Sequence, residues 1–345
     1  SCNPLSTDDS VAEALRTEYG LEVHAKKWES QDEYYCNLNA VLDMHPDFVI
    51  DDGADLIAML HTTRKDALYN VKGANEETTT GVIRLKAMAA AGALRFPVMD
   101  VNDAKMKFLF DNRYGTGQSA FDGWMTATNL TVAGKRTVVA GYGWCGKGVA
   151  MRAKGLGAIV VVTEVDPIKA IEARMDGFEV MPMAEAVKTA EIVITVTGCK
   201  DVISYDHVPL IKDGCVLCNA GHFDNEISKK ALDSEAVNVT RVREFVDKYE
   251  MKDGRMLYLV SEGRLMNLAA GQGHPVEIMD MSFATQALAL EHMVNNHKNM
   301  EGKVYAVPDH IDEAIARIKL KSMGIEIDSL TKEQTEYISG WEEGT

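Results

Sequence analysis

A glycine-rich turn between two β-branched runs carries the clearest chemical signal in this sequence. The turn, Gly-Tyr-Gly-Trp-Cys-Gly at residues 141–146, follows the apolar run 137–140 and opens a segment with helical character. A second apolar run, 159–163, comes next and is closed by Glu164. A strand, a Gly-x-Gly-x-x-Gly turn, a helix and a second strand ending in an acid are typical of the unit that binds the pyrophosphate of a dinucleotide.

Glu164 indicates which dinucleotide this unit prefers. A carboxylate at the end of the second strand accepts hydrogen bonds from the adenosine ribose hydroxyls. The same charge repels a 2′-phosphate, so the sequence predicts NAD rather than NADP. A glycine-rich turn without a ligand is the alternative, and the strand, helix and acid in register argue against it.

A lysine, an acid and an amide lie close together among aromatic residues. Lys107 and Asp111 are four positions apart, Asn112 follows, and Phe108 and Phe110 lie between them. If this segment is one helical turn, the two charged side chains share a face. Aromatic neighbours then lower the pKa of the lysine, which helps it to act as a base. The alternative is an exposed ion pair with no role in chemistry.

Two polar clusters follow nearer the N-terminus. Asp52 lies in Asp-Asp-Gly directly after the apolar run 48–50, and Glu77 precedes three threonines at residues 78–80. Carboxylates at the ends of parallel strands lie where α/β sheets bind ligands, and the threonine hydroxyls suit a polyhydroxylated ligand. A solvated turn for the first cluster and a threonine-capped helix N-terminus for the second remain alternatives.

A histidine follows another apolar run. His222 lies in Gly-His-Phe-Asp, just after residues 215–219, and so at the ligand edge of a parallel sheet. A purely structural histidine is the alternative. Within the run, a period of two directs Cys215 and Cys218 to opposite faces, so buried packing is expected rather than redox or zinc chemistry.

The composition excludes several classes of protein. The chain of 345 residues has 36 lysines and arginines against 52 aspartates and glutamates, a net charge of −16. Such a chain repels nucleic-acid phosphates, so no nucleic acid is expected as a partner. No apolar run reaches the roughly 18 residues of a membrane span. Six scattered cysteines form no disulfide framework, which fits a reducing cytoplasm.

The order of the runs predicts an α/β fold. Strand-like and helix-like segments alternate, which is typical of a doubly wound parallel sheet. We expect a Rossmann NAD-binding domain over residues 117–272, inserted in a second α/β domain for the substrate that comprises residues 1–116 and 273–310. Residues 311–345 are expected to form a C-terminal helical tail.

In combination, these motifs resemble the S-adenosyl-L-homocysteine hydrolase family. The resemblance runs from residue 1 to the C-terminus. Its motifs are Asn3-Pro4-Leu5-Ser6-Thr7, Asp51-Asp52-Gly53, Glu76-Glu77-Thr78-Thr79-Thr80-Gly81-Val82, Phe110-Asp111-Asn112-x-Tyr114-Gly115, Gly141-Tyr142-Gly143, Thr163-Glu164-x-Asp166-Pro167, Gly221-His222-Phe223-Asp224, Glu262-Gly263-Arg264-Leu265-x-Asn267-Leu268 and Gly273-His274-Pro275.

The resemblance implies a hydrolase that retains NAD and uses it with no net redox change. Oxidation at C3′ of a nucleoside thioether makes the C4′ proton removable, homocysteine is eliminated, water adds, and the hydride returns. The implied reaction is the reversible hydrolysis of S-adenosyl-L-homocysteine to adenosine and L-homocysteine. The implied enzyme is a cytoplasmic homo-oligomer, a tetramer, whose partner is this small-molecule substrate.

The resemblance also implies roles for individual residues. Lys107 and Asp111 serve the 3′-hydroxyl, with Lys107 as its base, and Asp52 and His222 transfer protons at C4′ and C5′. The substrate-binding set is Asp52, Glu77, Thr78, Thr79, Lys107, Asp111, His222 and His274. The cofactor-binding set is Thr78, Thr79, Thr80, Asn112, Gly141, Gly143, Trp144, Cys145, Gly146, Glu164, Lys169, Thr197, Gly198, Asn219, Gly221, His222, Asn267 and His274. No residue is assigned to a metal.

Three features depart from the family pattern. The chain begins where family members are already several dozen residues along, so an N-terminal truncation that removes a His-Met-Thr stretch is expected. Lys169 replaces an asparagine that members often have, which weakens the selection against NADP. The Lys…Tyr tail that many members extend into a neighbour's NAD site is missing, as in the short-tailed archaeal and thermophile members.

Three other functions remain open at this point. The same mechanism could act on S-inosyl-L-homocysteine, since the residues that contact the base fall mainly in the missing segment. A net NAD-dependent dehydrogenase is a second possibility. A silent NAD-binding relative is the third, and the presence of Lys107, Asp111, Asp52 and His222 argues against it.

Overall fold

The computed structural model describes residues 1–4 and 7–341. Leu5 and Ser6 of the first family motif and the last four residues lie outside this description. The strands are β1 Phe48–Asp51, β2 Gly73–Glu76, β3 Val98–Asp100, β4 Arg136–Ala140, β5 Ile159–Thr163, β6 Glu179–Val180, β7 Ile192–Thr195, β8 Val216–Asn219, β9 Ala236–Arg243, β10 Val246–Met251, β11 Met256–Val260 and β12 Val304–Ala306.

Helices alternate with these strands along most of the chain. The α-helices are α1 Asp9–Thr17, α2 Gln31–Asp43, α3 Asp55–His61, α4 Lys65–Leu68, α5 Thr79–Ala90, α6 Lys105–Lys107, α7 Thr116–Thr128, α8 Trp144–Gly155, α9 Pro167–Met175, α10 Met183–Ala186, α11 Lys229–Glu235, α12 Met266–Ala269, α13 Val276–Asn296, α14 Asp309–Ser322 and α15 Lys332–Ser339. A π-helix spans Phe108–Gly115 between α6 and α7.

Two separate sheets organise the chain. The smaller sheet has the order β1-β2-β3-β12, and all its strands are parallel. The larger sheet has the order β6-β5-β4-β7-β8-β11-β10-β9 and is parallel from β6 through β11. The predicted α/β fold with a Rossmann-type parallel sheet is confirmed.

The far edge of the larger sheet was not predicted. Strands β10 and β9 pair antiparallel with β11 and with each other. Every residue of β9 after Ala236 is exposed, so this strand has no buried face. Apolar and polar residues nevertheless alternate from Val237 to Thr240, so the sequence carried the pattern of a half-buried strand and this signal was missed.

The larger sheet lies between two apolar layers. Alternate residues of each central strand enter opposite layers, so Val138 belongs to one core cluster and Val139 to the other. Cys215 and Cys218 are fully buried and likewise fall in different clusters. The prediction of buried packing on opposite faces is therefore confirmed for both cysteines.

The long helix α13 connects the chain back to the smaller sheet. Its residues Met281, Ala289 and Met293 are buried with Met99 of β3 and with Ile311 of α14. Helix α13 also contacts β2 and the π-helix, so it runs along the smaller sheet and reaches the segment that carries Asp111. None of the described helices is long and apolar enough to cross a membrane.

Candidate active site and cofactor cradle

The glycine-rich turn forms a tight link between β4 and α8. Gly141 has a φ of +101°, a backbone conformation that L side chains rarely adopt. A Cβ at Gly146 would lie 2.0 Å from the carbonyl oxygen of Gly141, so the helix packs directly on the turn. A Cβ at Gly143 would meet no atom within 4 Å. The backbone at Gly143 therefore faces open space, from which a pyrophosphate can approach it.

Glu164 accepts hydrogen bonds from one backbone N–H of this turn and from the two residues that follow Glu164 in the chain. Its Oε2 accepts from the backbone N–H of Tyr142 at 2.6 Å, and its Oε1 accepts from Val165 at 2.7 Å and Asp166 at 3.1 Å. The carboxylate keeps lone pairs for further donors such as ribose hydroxyls. Lys169 is held 3.6 Å from the carboxylate of Asp166, one turn into α9.

Two unsatisfied polar features of the described residues fit a bound dinucleotide. The first N–H groups of α8 receive no side-chain cap from the described residues, so they are free to bind a phosphate. Asn267 donates to Ser119 Oγ at 2.8 Å, while its buried Oδ1 has no hydrogen-bond partner within the described residues. A buried amide oxygen of this kind fits a donor such as the carboxamide of nicotinamide. The residues present therefore fit NAD.

Aromatic stacking joins the cofactor turn to the lysine segment. Trp144, the first residue of α8, stacks on Phe108 with ring centroids 4.8 Å apart. Cys145 Sγ lies 3.6 Å from Thr116 Oγ1, which places the start of α7 against the same turn. Burial raises the pKa of the Cys145 thiol, so this cysteine stays neutral.

A buried glutamate, Glu226, was not singled out from the sequence, and it holds the backbone of the loop that follows β7. Glu226 accepts from the backbone N–H of Thr197 at 2.9 Å and of Gly198 at 2.7 Å. Asn219 donates to the carbonyls of Phe223 and Gly263 and accepts from the N–H of Gly221. Thr197, Gly198, Asn219 and Gly221 thus line one loop system, in which Asn219 shapes the backbone that carries His222.

The predicted lysine cluster is brought together as one buried group. Lys107 is 5% exposed, and its Nζ donates to Asn112 Oδ1 at 2.9 Å. It also lies 3.7 Å from Asp111 Oδ2 and 3.6 Å from Glu77 Oε1. The turn between Lys107 and Asp111 is part of a π-helix rather than an α-helix, yet the two side chains share a face as expected. Burial rules out the alternative of an exposed surface pair.

The expectation of a lowered lysine pKa is wrong for this structure. Burial alone would lower the pKa of Lys107, but the carboxylates of Glu77 and Asp111 outweigh it and raise the pKa. Burial would raise the pKa of Asp111, but Lys107 and His274 reverse this and hold it well below its usual range. The prediction of a site of low polarity, made from the aromatic neighbours, was correct. The direction of the pKa shift of Lys107 is decided instead by Glu77, which is distant in the sequence.

Helix α13 supplies donors to both carboxylates. Ser282 Oγ donates to Asp111 Oδ2 at 2.6 Å, and Gln286 Nε2 donates to Glu77 Oε2 at 2.5 Å. Neither residue was singled out from the sequence. The available signal was the set of three polar residues, Ser282, Thr285 and Gln286, inside the apolar stretch 281–290, because buried polar side chains need partners.

His274 closes the cluster from the other side. Its Nδ1 lies 2.8 Å from Asp111 Oδ1, and its Nε2 lies 3.3 Å from Thr116 Oγ1. A Cβ at Gly115 would lie 2.7 Å from His274 Nδ1, so the ring packs directly on the end of the π-helix. His274 thereby connects Asp111 with the segment that leads to the cofactor turn.

Asp52 and His222 form a second polar pair, between the two sheets. Asp52 Oδ1 lies 4.0 Å from His222 Nδ1. Gly53 has a φ of +101°, and a Cβ there would lie 2.7 Å from His222 Nε2. The histidine that follows β8 of the larger sheet thus packs on the turn that follows β1 of the smaller one.

The three threonines occupy the start of α5. Thr78 is the N-cap residue, and its backbone N–H donates to Glu76 Oε1 at 3.0 Å. Thr79 Oγ1 donates to Asn102 Oδ1 at 3.2 Å, and Thr80 Oγ1 would lie 3.6 Å from a Cβ at Gly198. The helix N-terminus expected as the alternative is therefore present. The Thr79 hydroxyl contacts Asn102 beside the lysine cluster, and the Thr80 hydroxyl lies near the cofactor loop at Gly198.

Comparison with known proteins connects this geometry to one family. A family model described as "S-adenosyl-L-homocysteine hydrolase, NAD binding domain" matches residues 112–273, and one described as "S-adenosyl-L-homocysteine hydrolase" matches residues 1–72. The adenosylhomocysteinase of Thermoplasma volcanium is 58% identical over 345 residues, which is 100% of this chain and 84% of that protein. The chain belongs to the S-adenosyl-L-homocysteine hydrolase family.

Other relatives carry two different names within this family. The S-inosyl-L-homocysteine hydrolase of Methanocaldococcus jannaschii is 60% identical over 344 residues, 100% of this chain and 82% of that protein. The adenosylhomocysteinase of Pyrococcus abyssi is 58% identical over 343 residues, 99% of this chain and 81% of that protein. The predicted family and the predicted cofactor are confirmed: this family member is a hydrolase whose Rossmann-type unit binds NAD.

Proposed function

We propose that this enzyme catalyses the reversible hydrolysis of S-adenosyl-L-homocysteine to adenosine and L-homocysteine. The observation that carries the proposal is the buried cluster of Lys107, Glu77 and Asp111, joined by stacking to a turn that fits NAD. When bound, NAD supplies a hydride acceptor at C3′ of the ribose and later returns the hydride. The residues of this chain must therefore position that carbon and move protons around it.

Lys107 is the proposed base for the 3′-hydroxyl. In the ligand-free cluster the two carboxylates keep it charged. Ribose hydroxyls that donate to Glu77 and Asp111 spread part of the negative charge away from the ammonium. Burial then disfavours the charged form of Lys107 and lowers its pKa. Substrate binding itself would in this way prepare the base.

Asp52 and His222 are the proposed groups for proton transfer at C4′ and C5′. They lie between the two sheets, beside the turn at Gly53. A carboxylate and an imidazole that lie side by side can each exchange a proton with a substrate bound against them. Thr78 and Thr79 are proposed to bind substrate and cofactor hydroxyls together with Glu77. Thr80, Asn112, Asn267 and His274 are proposed to line the nicotinamide end.

The purine base is the remaining choice within this function. Relatives named for adenosyl and for inosyl substrates are equally similar to this chain. S-inosyl-L-homocysteine is therefore the second candidate substrate. Incubation of the full-length holoenzyme with each thioether decides between them by the nucleoside released, and accumulation of NADH in proportion to turnover would instead indicate a net dehydrogenase.

The decisive variant is Lys107→Met in the full-length holoenzyme. We expect the bound nicotinamide to stay oxidised when substrate is added, because the 3′-hydroxyl keeps its proton. Lys105→Met is the matched control, since Lys105 is two positions away, exposed and paired with Asp309. Absorbance of reduced nicotinamide after rapid mixing measures both. A normal rise in Lys107→Met would remove Lys107 as the base, and no rise in the unmodified enzyme would overturn the function.

The organisation of the whole enzyme completes the proposal. We propose a cofactor domain over 117–272 and a substrate domain over 1–116 and 273–310, which the two separate sheets support, with a helical tail over 311–345. A homotetramer in the cytoplasm is proposed from the family resemblance. Cys36, Cys145, Cys199, Cys215 and Cys218 form no disulfide bond within the described residues, which supports a reducing compartment.

A further inference from the structure

Helix α13 directs two hydrogen-bond donors, Ser282 and Gln286, at the carboxylates that surround Lys107. Resting on the proposed role of Lys107 as base, we infer that Ser282 and Gln286 are positioning residues that hold Asp111 and Glu77 back from the ammonium. The two carboxylates thereby hold the proton on the lysine less strongly than they would in direct contact with it.

The hydrogen bonds show how each carboxylate is held. Asp111 Oδ2, the oxygen that faces Lys107, also accepts from Ser282 Oγ at 2.6 Å. Glu77 faces Lys107 with Oε1, while Gln286 Nε2 holds its other oxygen at 2.5 Å. Each carboxylate therefore has a shorter contact with α13 than with the lysine.

The distances to the lysine are long for ion pairs. Lys107 Nζ lies 3.7 Å from Asp111 and 3.6 Å from Glu77. A charge-assisted N–H···O contact is usually about 2.8 Å long. Because a closer carboxylate stabilises an ammonium more strongly, these longer distances limit the rise in the pKa of Lys107.

Both donors are fixed in place by the fold. Ser282 is fully buried, and α13 runs for 21 residues along the smaller sheet. Gln286 is anchored by Asn75 of β2, whose Nδ2 donates at 3.0 Å to both the backbone and the side-chain oxygen of Gln286. The donors therefore cannot follow a carboxylate that moves toward the lysine.

The charges around Lys107 determine the sign of the effect. Glu77, Asp111, Asp52 and Cys145 act on the lysine, and each raises its pKa. His274 faces Asp111, and the amides of Asn102 and Asn112 offer neutral acceptors. Asp111 stays ionised because Lys107 and His274 lower its pKa. Loss of the Ser282 donor therefore strengthens the hold of Asp111 on the ammonium rather than protonating that carboxylate.

The test compares three buried positions of α13 in the full-length holoenzyme. Ser282→Ala and Gln286→Met remove the donors at little cost in volume. Thr285→Val is the matched control, because Thr285 is equally buried and its hydroxyl donates only to the Met281 carbonyl of its own helix, at 2.8 Å. Crystal structures of the three variants without substrate give a reading that does not depend on activity.

In Ser282→Ala, the distance from Lys107 Nζ to Asp111 should contract to about 2.8 Å. Reduction of the bound nicotinamide by substrate should then require a pH higher by about one unit, as expected for a lost hydrogen bond to a charged group. Gln286→Met should do the same through Glu77 at a pH well above 7, where Glu77 is ionised, and Thr285→Val should match the unmodified enzyme.

Two outcomes overturn the inference and leave the proposed function intact. One is an unchanged distance and pH profile in Ser282→Ala and Gln286→Met while Lys107→Met abolishes reduction. The other is a shift of the profile to lower pH. If Lys107→Met reduces its cofactor normally, the proposed function fails instead.

Discussion

The backbone N–H of Tyr142 donates to Glu164 Oε2 over 2.6 Å, which joins the first turn of the cofactor fingerprint to the end of β5. The same carboxylate accepts from Val165 and Asp166 through its other oxygen. Glu164 therefore shapes the site as well as supplying a charge to it. A substitution that keeps the size and removes the charge separates the two contributions.

Glu164→Gln should narrow the preference for NAD over NADP. The amide no longer repels the 2′-phosphate, and we expect the affinity ratio to fall about tenfold, or about 1.4 kcal/mol. Titration calorimetry of cofactor-stripped protein with each dinucleotide measures the ratio. Glu179→Gln, at an exposed carboxylate that pairs with Arg136, is the control. An unchanged ratio in Glu164→Gln would place the ribose elsewhere.

Gly53→Ala should slow turnover by about a hundredfold, as is usual when a catalytic group is displaced by about 1 Å. The added methyl would lie 2.7 Å from His222 Nε2, so the ring must move. Gly92→Ala is the matched control, because Gly92 also has a positive φ of +66° but has no atom within 4 Å of a Cβ. Both variants should lose about 1–2 kcal/mol of stability from backbone strain.

Steady-state kinetics and chemical denaturation of both glycine variants check this prediction. Turnover in Gly92→Ala should stay normal despite its lost stability. If Gly53→Ala also turns over normally, the contact between Gly53 and His222 has no role in the reaction.

Glu77 makes the stability of the ligand-free protein depend on pH. Burial raises the pKa of Glu77 from 4.5 to about 7. Between these values the folded protein keeps a proton that the unfolded chain has released. The free energy of unfolding should therefore fall as the pH rises from 4.5 to 7, by at most about 1.4 kcal/mol per pH unit for one group. Denaturant titrations across this range measure the slope.

Glu77→Gln should reduce the slope of this profile by the contribution of one group, because the amide does not titrate, whereas Asp51 and Glu76, whose pKa values burial also raises, keep the rest. Glu185→Gln provides the comparison, since Glu185 is an exposed carboxylate on α10, outside this cluster, and is paired with Lys188. Equal slopes in Glu77→Gln and the unmodified protein would show that Glu77 is already ionised in the folded state at low pH.

The parts of the site that depend on local sequence were predictable. The cofactor turn, its helix and Glu164 lie within one continuous stretch, and each has a fixed role in that motif. The shared face of Lys107 and Asp111 followed from their spacing of four. The cysteines of β8 followed from the period of a strand.

The parts that depend on distant contacts were not predictable. Ser282 is 171 positions from Asp111, and Gln286 is 209 positions from Glu77, so no local pattern connects them. The sign of the Lys107 pKa depends on Glu77, which only the fold brings within 3.6 Å. Glu226 was missed for the same reason, because its carboxylate accepts hydrogen bonds from the backbone of Thr197 and Gly198, about 30 residues earlier in the chain.

The π-helix between Lys107 and Thr116 makes the position of the charged residues depend on the number of residues in this segment. An i→i+5 turn holds one residue more than an α-turn, and π-turns of this kind are often found at functional sites. Deletion of a single residue between Asp111 and Thr116 would rotate α7, which packs on α8, by about 100° relative to Lys107. We therefore expect the segment to accept substitutions at its exposed position Tyr114 and to reject every change in residue number.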